Sequence, residues 1–301
     1  MVSSQASIRG ATISLNPDLP IGIFDSGVGG LTVYRALHER LPNERFVYLG
    51  DTARVPYGTK SLATVERYAI ENARFLASRG IKMLVVACNT ASALALPAIS
   101  RAVNVKVVGV IEPGARAAIE ASAKRRIGVI ATESTVHSGA YREALAKLDK
   151  DIRVIERACP LFVSLAEEGW ADHDVAREVA AEYLRDVVAV DVDTLVLGCT
   201  HYPILRSVIQ ETMGAGVRLI DSGEAAAHDV AALLYSEKIS AHVASVERGS
   251  EKPRRLCDDL DHFYVTDAAE RFSRVAERFL GSAPKVLEAV EVWGTDELHT
   301  H

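Results

Sequence analysis

The chain of 301 residues repeats itself. IGIFDSGVGGLTVYRAL, starting at Ile21, resembles IGVIATESTVHSGAYREAL, starting at Ile127, and Tyr34 falls in line with Tyr141. RFVYLGD from Arg45 precedes IRVIERA from Ile152 by the same interval, about 107 residues. KMLVVACNT and DTLVLGCTH then place Cys88 and Cys199 at nearly that spacing. Three matches, in order and at nearly one offset, identify a duplicated unit, so whatever one half folds into the other half must fold into as well.

Each unit reads as strands alternating with helices. Ile21–Asp25, Phe46–Gly50, Met83–Cys88 and Val105–Val110 are short, nearly continuous apolar runs, the pattern of strands buried on both faces. Leu31–Arg40 and Leu62–Gly80 carry apolar residues at helical spacing, with Gly80 placed to cap the second. The second unit repeats this with strands at Ile127–Ala131, Arg153–Glu156, Thr194–Gly198 and Val217–Ile220. Such alternation predicts an α/β fold in which each unit is a mainly parallel sheet flanked by helices. Ile111-Glu112-Pro113-Gly114 is the expected hinge, and a second crossing is expected near Asp221-Ser222-Gly223. Beyond it, Ala225–Tyr235 reads as a helix, His262–Asp267 as a strand, and Ala268–Leu280 as a helix with Phe272, Val275 and Phe279 on one face. This last piece has no counterpart in the second unit and is expected to return to the first. The expected division is therefore an N-terminal extension 1–19, a first domain of 20–112 plus 224–281, a second domain of 113–223, and a tail of 282–301, with a loop around Ser245–Pro253.

Composition narrows the class. At 49% apolar and 25% charged residues the chain can fill two cores. A net charge of −6 without a long basic run argues against a nucleic-acid binder. No apolar run approaches the roughly 18 residues of a membrane span, and the first 19 residues lack the apolar stretch of a secretory signal. Four cysteines are too few for a disulfide framework, so reduced thiols in the cytoplasm are expected.

Ligands in open parallel sheets bind beyond the carboxyl ends of the strands. Asp25-Ser26, Cys88-Asn89-Thr90, Thr132 to Thr135 and Cys199-Thr200-His201 all fall there. If the halves face each other, Cys88 and Cys199 enter one cleft from opposite sides. Opposed thiols can hold a metal, form a redox disulfide, or remove and supply a proton on the two faces of one carbon, a symmetric arrangement suited to inverting a stereocentre. Ser26, Asn89, Thr90, Thr132, Thr135 and Thr200, with N–H groups at helix starts, make a cradle for carboxylates. Asp25 and His201 are placed to tune Cys88 and Cys199 respectively.

Plainer readings stand beside these. Cys159 and Cys257 lack a repeat partner and read as small buried apolar residues. Asp25-Ser26-Gly27-Val28-Gly29-Gly30 reads either as a phosphate loop, though without the usual glycine order or lysine, or as a tight turn with close helix packing. Cys88, Cys199 and His201 together read as a zinc site only weakly, because C-x-H lacks the usual spacing. Glu167-Glu168 alone would pass as a solvated helix face, and Trp170 as packing.

These residues also carry a family resemblance. IGIFDSGVGGL from Ile21, YLGDTARVPYG from Tyr48, VVACNTASA from Val85, ACPLFVSLAEEGW from Ala158, VLGCTHYPIL from Val196 and FYVTD from Phe263 resemble the glutamate racemases of the cofactor-independent aspartate/glutamate racemase superfamily. The likeness runs from about Pro20 to Gly281 and implies an α/β fold of two pseudo-symmetric domains, each a mainly parallel sheet flanked by helices, with the active site in the cleft between them. It implies interconversion of L- and D-glutamate for peptidoglycan, with no pyridoxal phosphate, other cofactor or metal. It implies that Cys88 deprotonates D-glutamate and Cys199 L-glutamate, with Asp25 near the first and Glu167 and His201 assisting the second; Glu168 is the adjacent alternative to Glu167. Substrate binding is implied for Asp25, Ser26, Pro56, Tyr57, Gly58, Asn89, Thr90, Thr132, Thr135, Thr200 and His201. Ser134 departs from the A-T-x-G-T turn of many members. Three other readings stay open: a racemase for aspartate or another amino acid, a redox or zinc-binding thiol protein, and a protein that closes on a small carboxylate without turnover. The expected partner is the small-molecule substrate, with no nucleic acid and no membrane. Nothing in the sequence marks an interface, and a homodimer stays open.

Overall fold

The computed structural model describes residues 16–241 and 254–293, and among them the strands sort into two wholly parallel sheets. The first contains β1 (Ile21–Asp25), β2 (Phe46–Gly50), β3 (Met83–Val86) and β4 (Lys106–Gly109) in the order β2-β1-β3-β4. The second contains β5 (Arg126–Ala131), β6 (Arg153–Ala158), β7 (Thr194–Gly198) and β8 (Arg218–Asp221) in the order β6-β5-β7-β8. Strand for strand the orders coincide, so the repeat in sequence is a repeat in topology. The register agrees too: Ile21 lies between Phe46 and Met83, and its counterpart Ile127 between Val154 and Thr194.

Two further strands extend the first sheet past β2. β9 (His262–Val265) pairs with β2, which returns the C-terminal piece to the first unit, and β10 (Leu287–Ala289) pairs with β9. The strand β10 corrects the reading of residues 282–293 as part of a tail, and residues 294–301 lie outside the described residues. Three residues are too few to show a period, and what recruits them is the free edge of β9. The segment Ser245–Pro253 and residues 1–15 of the extension lie outside the described residues.

Among the described residues eleven α-helices accompany the strands. The first unit carries α1 (Leu31–Arg40), α2 (Leu62–Ser78) and α3 (Asn89–Ala102). After it come α4 (Ile111–Ala121), α5 (Glu133–Ser138), α6 (Ala140–Leu148), α7 (Leu161–Glu168), α8 (Asp174–Ala189) and α9 (Arg206–Met213), then α10 (Ser222–Ser236) and α11 (Ala269–Leu280). Their ends follow local chemistry. Ser61 caps α2 by accepting from the Thr64 N–H, and Gly80 takes the left-handed conformation that releases the chain from it. On α11, Phe272, Val275, Ala276 and Phe279 are buried at i, i+3, i+4 and i+7, and each of the larger three contributes about 1.5–3 kcal/mol by leaving water.

The expected hinge at Ile111–Gly114 folds as the first turn of α4. Proline is accommodated there because the first N–H groups of a helix have no partner within it. At the second crossing, Asp221 caps α10 by accepting from the N–H groups of Gly223 and Glu224. Helix α10 packs on both α1 and α4. One apolar cluster accordingly runs from Ile23, Tyr34 and Phe46 in the first unit, by way of Val230 and Leu234 of α10, to Phe162, Leu184 and Leu197 in the second. That shared core brings the carboxyl ends of both sheets to one cleft.

Candidate active site

Parallel strands deliver their carboxyl ends to one edge of a sheet, and Asp25, Cys88 and Cys199 each sit at such an end or within two residues of it. Asp25 ends β1 with no exposed surface. Its Oδ2 accepts from the Gly27 N–H at 2.9 Å, and N–H groups of Ser26 and Gly30 turn toward it as well. Burial raises its carboxyl above the ordinary value, while these donors and His201 pull the other way. Two residues past β3, Cys88 caps α3, accepting from the Ala91 N–H at 3.5 Å and donating to the Ser26 hydroxyl at 3.4 Å. The strand thus stops at Val86, short of the Met83–Cys88 run, because Cys88 already belongs to the helix start. Burial, with the nearby Asp25 carboxylate, pushes the Cys88 thiol up to about 12, so at neutral pH it holds its proton.

The second unit presents a different setting. Cys199 follows β7, with His201 Nδ1 3.9 Å from its sulfur. The other ring nitrogen of His201 lies 3.0 Å from Glu167 Oε1 on α7. Arg271 of α11 donates to Glu167 Oε2 at 3.0 Å, and Arg278 donates to the Glu167 carbonyl. Burial opposes a charge on His201, but Cys199 and Glu167 outweigh it and push the imidazole up to about 10. Burial works likewise against the Glu167 anion, and His201 and Arg271 more than offset it, leaving that carboxyl below its ordinary value. Glu168, one residue on, is exposed. The two thiols therefore differ: Cys88 faces a hydroxyl and a carboxylate, Cys199 an imidazolium.

The His201 charge makes a prediction. A group protonated more readily in the fold than in the unfolded chain stabilises the fold fully below its unfolded value, 6.5, and that contribution is lost as pH rises through about 10. Nitrogen chemical shifts of His201 should show both ring protons retained until pH nears 10; a midpoint near the ordinary value would refute the pairing.

Both sulfurs line one cavity of about 200 Å³, smaller than the roughly 300–1,000 Å³ of pockets for drug-sized ligands. From the first unit, Ser26, Pro56, Tyr57, Gly58, Asn89 and Thr90 also line it. From the second come Thr132, Glu167, Thr200 and His201. Two expected binding residues stand one layer behind. Asp25 meets the cavity only through its neighbours and through Thr200, whose hydroxyl lies 3.5 Å away. Thr135 is buried, its hydroxyl joining those of Thr90 and Thr132 in a triangle with edges of 2.9 to 3.2 Å. Tyr57 lines the cavity but turns its hydroxyl to the buried Asp51 carboxylate, where Asn72 also donates. Asn89 is held by the Tyr141 hydroxyl, donating to its Oδ1 at 2.7 Å, and donates to Ser222 at 3.3 Å.

Sequence reasoning missed Gly27, Val55 and Val163 among the lining residues, and Arg271 behind Glu167. Val55 lies inside the quoted YLGDTARVPYG run, directly before Pro56, a signal that was available; an exposed arginine on an amphipathic helix gives none. Trp170 stacks on His173 and does not line the cavity. Cys159 and Cys257 are buried, and all four cysteines are free. Among the described residues no group of three or more His, Cys, Asp or Glu side chains is placed to hold a metal ion, and no helix is long and apolar enough to cross a membrane. Neither lysine nor arginine lines the cavity, so an anionic ligand there meets N–H groups, hydroxyls and the His201 imidazolium.

Comparison with known proteins agrees with this architecture. Residues 21–230 match the family model described as Asp/Glu/hydantoin racemase. The glutamate racemase of Geobacter metallireducens is 52% identical over 262 residues, covering 87% of this chain and 92% of that protein. A glutamate racemase isoform from Bacillus anthracis superposes with a TM-score of 0.83 at 37% identity, covering 92% of this chain and 98% of that one. The Francisella tularensis glutamate racemase, solved in complex with D-glutamate, gives a TM-score of 0.80 at 37% identity and the same coverage. With a family match across more than half its length and relatives this similar over nearly all of it, the chain belongs to the Asp/Glu/hydantoin racemase family of isomerases.

Proposed function

We propose that this protein is a glutamate racemase that inverts the α-carbon with two thiols, Cys88 and Cys199. One observation carries the reading: equivalent cysteines of a duplicated unit line a single small cavity, each in a different electrostatic setting. The relatives named above supply the substrate. The domains proposed from sequence, 20–112 with 224–281 and 113–223, act as jaws around it.

In the L-to-D direction Cys199 acts as base, its thiolate paired with the His201 imidazolium that Glu167 holds in place. As it takes the α-proton, Cys88, a thiol at rest, gives its own proton to the opposite face. The enzyme is left with a thiolate at Cys88 and a thiol at Cys199, the form that accepts D-glutamate and runs the reaction in reverse. The α-proton of an amino acid is far less acidic than a thiol, so the carbanion needs fixed donors in a cavity poor in water. Thr90, Thr132, Thr200 and the N–H groups opening α3 are the donors proposed for the carboxylates. The chemistry proposed needs no metal or pyridoxal phosphate. The D-glutamate formed is proposed to supply peptidoglycan in the cytoplasm.

Circular dichroism of L-glutamate incubated with reduced, EDTA-treated protein, without pyridoxal phosphate, tests this. The expected result is decay of the signal to zero as the enantiomers equalise. A persistent signal with L-glutamate alongside decay with L-aspartate would move the substrate; persistence with both, together with tight binding of either, would favour closure without turnover.

A further inference from the structure

Ser134 takes no part in the chemistry above, yet its hydroxyl crosses the cleft. It lies in the first turn of α5, on the second unit, and donates to the Gly58 carbonyl of the first unit at 2.7 Å, with the Lys60 carbonyl at 3.4 Å. Gly58 lines the cavity and Ser134 does not. The segment it grips is fixed from beneath. The Tyr57 hydroxyl is bonded to Asp51, and that one buried carboxylate also takes hydrogen bonds from Arg54, Asn72 and Thr266. Pro56–Gly58 is therefore tied to its own unit, and what is left to vary is the gap between the units. At Gly58 the gap is already closed: a Cβ built there would stand 2.8 Å from Thr132 Cβ. The Thr90–Thr132 hydroxyl pair also spans the cleft, but both of those residues line the cavity and their hydroxyls are free to turn toward a ligand. Ser134 bonds only backbone.

We propose that Ser134 is a positioning residue, a latch whose bond to Gly58 breaks to admit glutamate and re-forms to enclose it. The inference rests on the glutamate reading. Opening then shares control of turnover with proton transfer, and removing the hydroxyl speeds opening while weakening closure.

Ser134→Ala deletes the bond to Gly58 with its longer contact to the Lys60 carbonyl and keeps a good helix former. It should raise KM for glutamate about fivefold, the weight of one partly buried hydrogen bond. It should also enlarge the α-deuterium isotope effect on kcat and weaken the dependence of kcat on solvent viscosity, with an unchanged far-ultraviolet spectrum. Without any substrate, amide hydrogen exchange across residues 56–60 should quicken in the variant. Unchanged exchange overturns the latch whatever the substrate proves to be. If the unsubstituted protein racemises glutamate, a higher KM with an unaltered isotope effect also overturns it, because Ser134 would then be an ordinary contact. Absence of racemisation by the unsubstituted protein is a failure of the glutamate reading, and the exchange measurement still decides the latch.

Discussion

Replacing either Cys88 or Cys199 by serine should lower racemisation by about 10²–10⁴-fold, the usual worth of a positioned acid or base. A serine hydroxyl is too weak a base to take the α-proton. The fold should survive both changes. Serine is a preferred helix cap, so Cys88→Ser keeps the bond from the Ala91 N–H that opens α3, and at Cys199 the substitution changes one atom in a polar turn. Because L- and D-glutamate are equal in free energy, kcat/KM must fall equally in the two directions for each variant, although the two thiols do different work. Their difference should appear in exchange with solvent. Cys88→Ser retains the base for L-glutamate and should exchange its α-proton without inverting it, while Cys199→Ser should do so with D-glutamate. Full racemisation by either variant would refute the assignment.

Gly29→Ala should cost about 10²-fold in kcat/KM, the penalty of misplacing reacting groups by about an ångström, while the protein stays folded. Gly29 has ordinary backbone angles, so the methyl group itself is the problem. A Cβ there would stand 2.4 Å from the Thr200 hydroxyl and 2.5 Å from two atoms of the His201 ring. The threonine can rotate, but the ring is held between Cys199 and Glu167 and cannot turn aside without losing both. Relief comes by pushing the second unit's catalytic turn away from the first, which pulls Cys199 out of line with Cys88. The check is kcat/KM beside the thermal midpoint. A variant that unfolds, or one that keeps full activity, would contradict the view that Gly29 sets the spacing between the units.

Gly29 also shows what the sequence could and could not convey. The glycine-rich turn after Asp25 was open to two readings, a phosphate loop or close packing, and packing is what the structure uses: Gly29 against His201, Gly30 against Asp25 and Tyr48. Which neighbour demanded the glycine was hidden, because it comes from the other unit. The duplicated sheets were legible because strands buried on both faces keep their apolar pattern through divergence, as β1 and β5 do. The strand ends gave the positions of Cys88 and Cys199 for the same reason. Direction was not legible. Tyr57 sits where expected but spends its hydroxyl on Asp51, and Thr135 supports Thr90 and Thr132 from behind. Adjacent helix residues point about 100° apart, so only the docking of α7 against the turn Tyr202–Leu205 that follows β7 selects Glu167 over Glu168. The bond from Ser134 to Gly58 joins residues 76 apart, and no local pattern encodes it.

The two-thiol account is tested most directly by following where deuterium first appears when L-glutamate is turned over in D2O. If Cys199 removes the proton and Cys88, carrying solvent deuterium, supplies the replacement, the earliest D-glutamate will be deuterated at the α-carbon while the remaining L-glutamate keeps its protium. Early deuterium divided equally between the recovered L-glutamate and the D-glutamate, or protium carried into the product, would mean that one base serves both faces, and the central claim would fail.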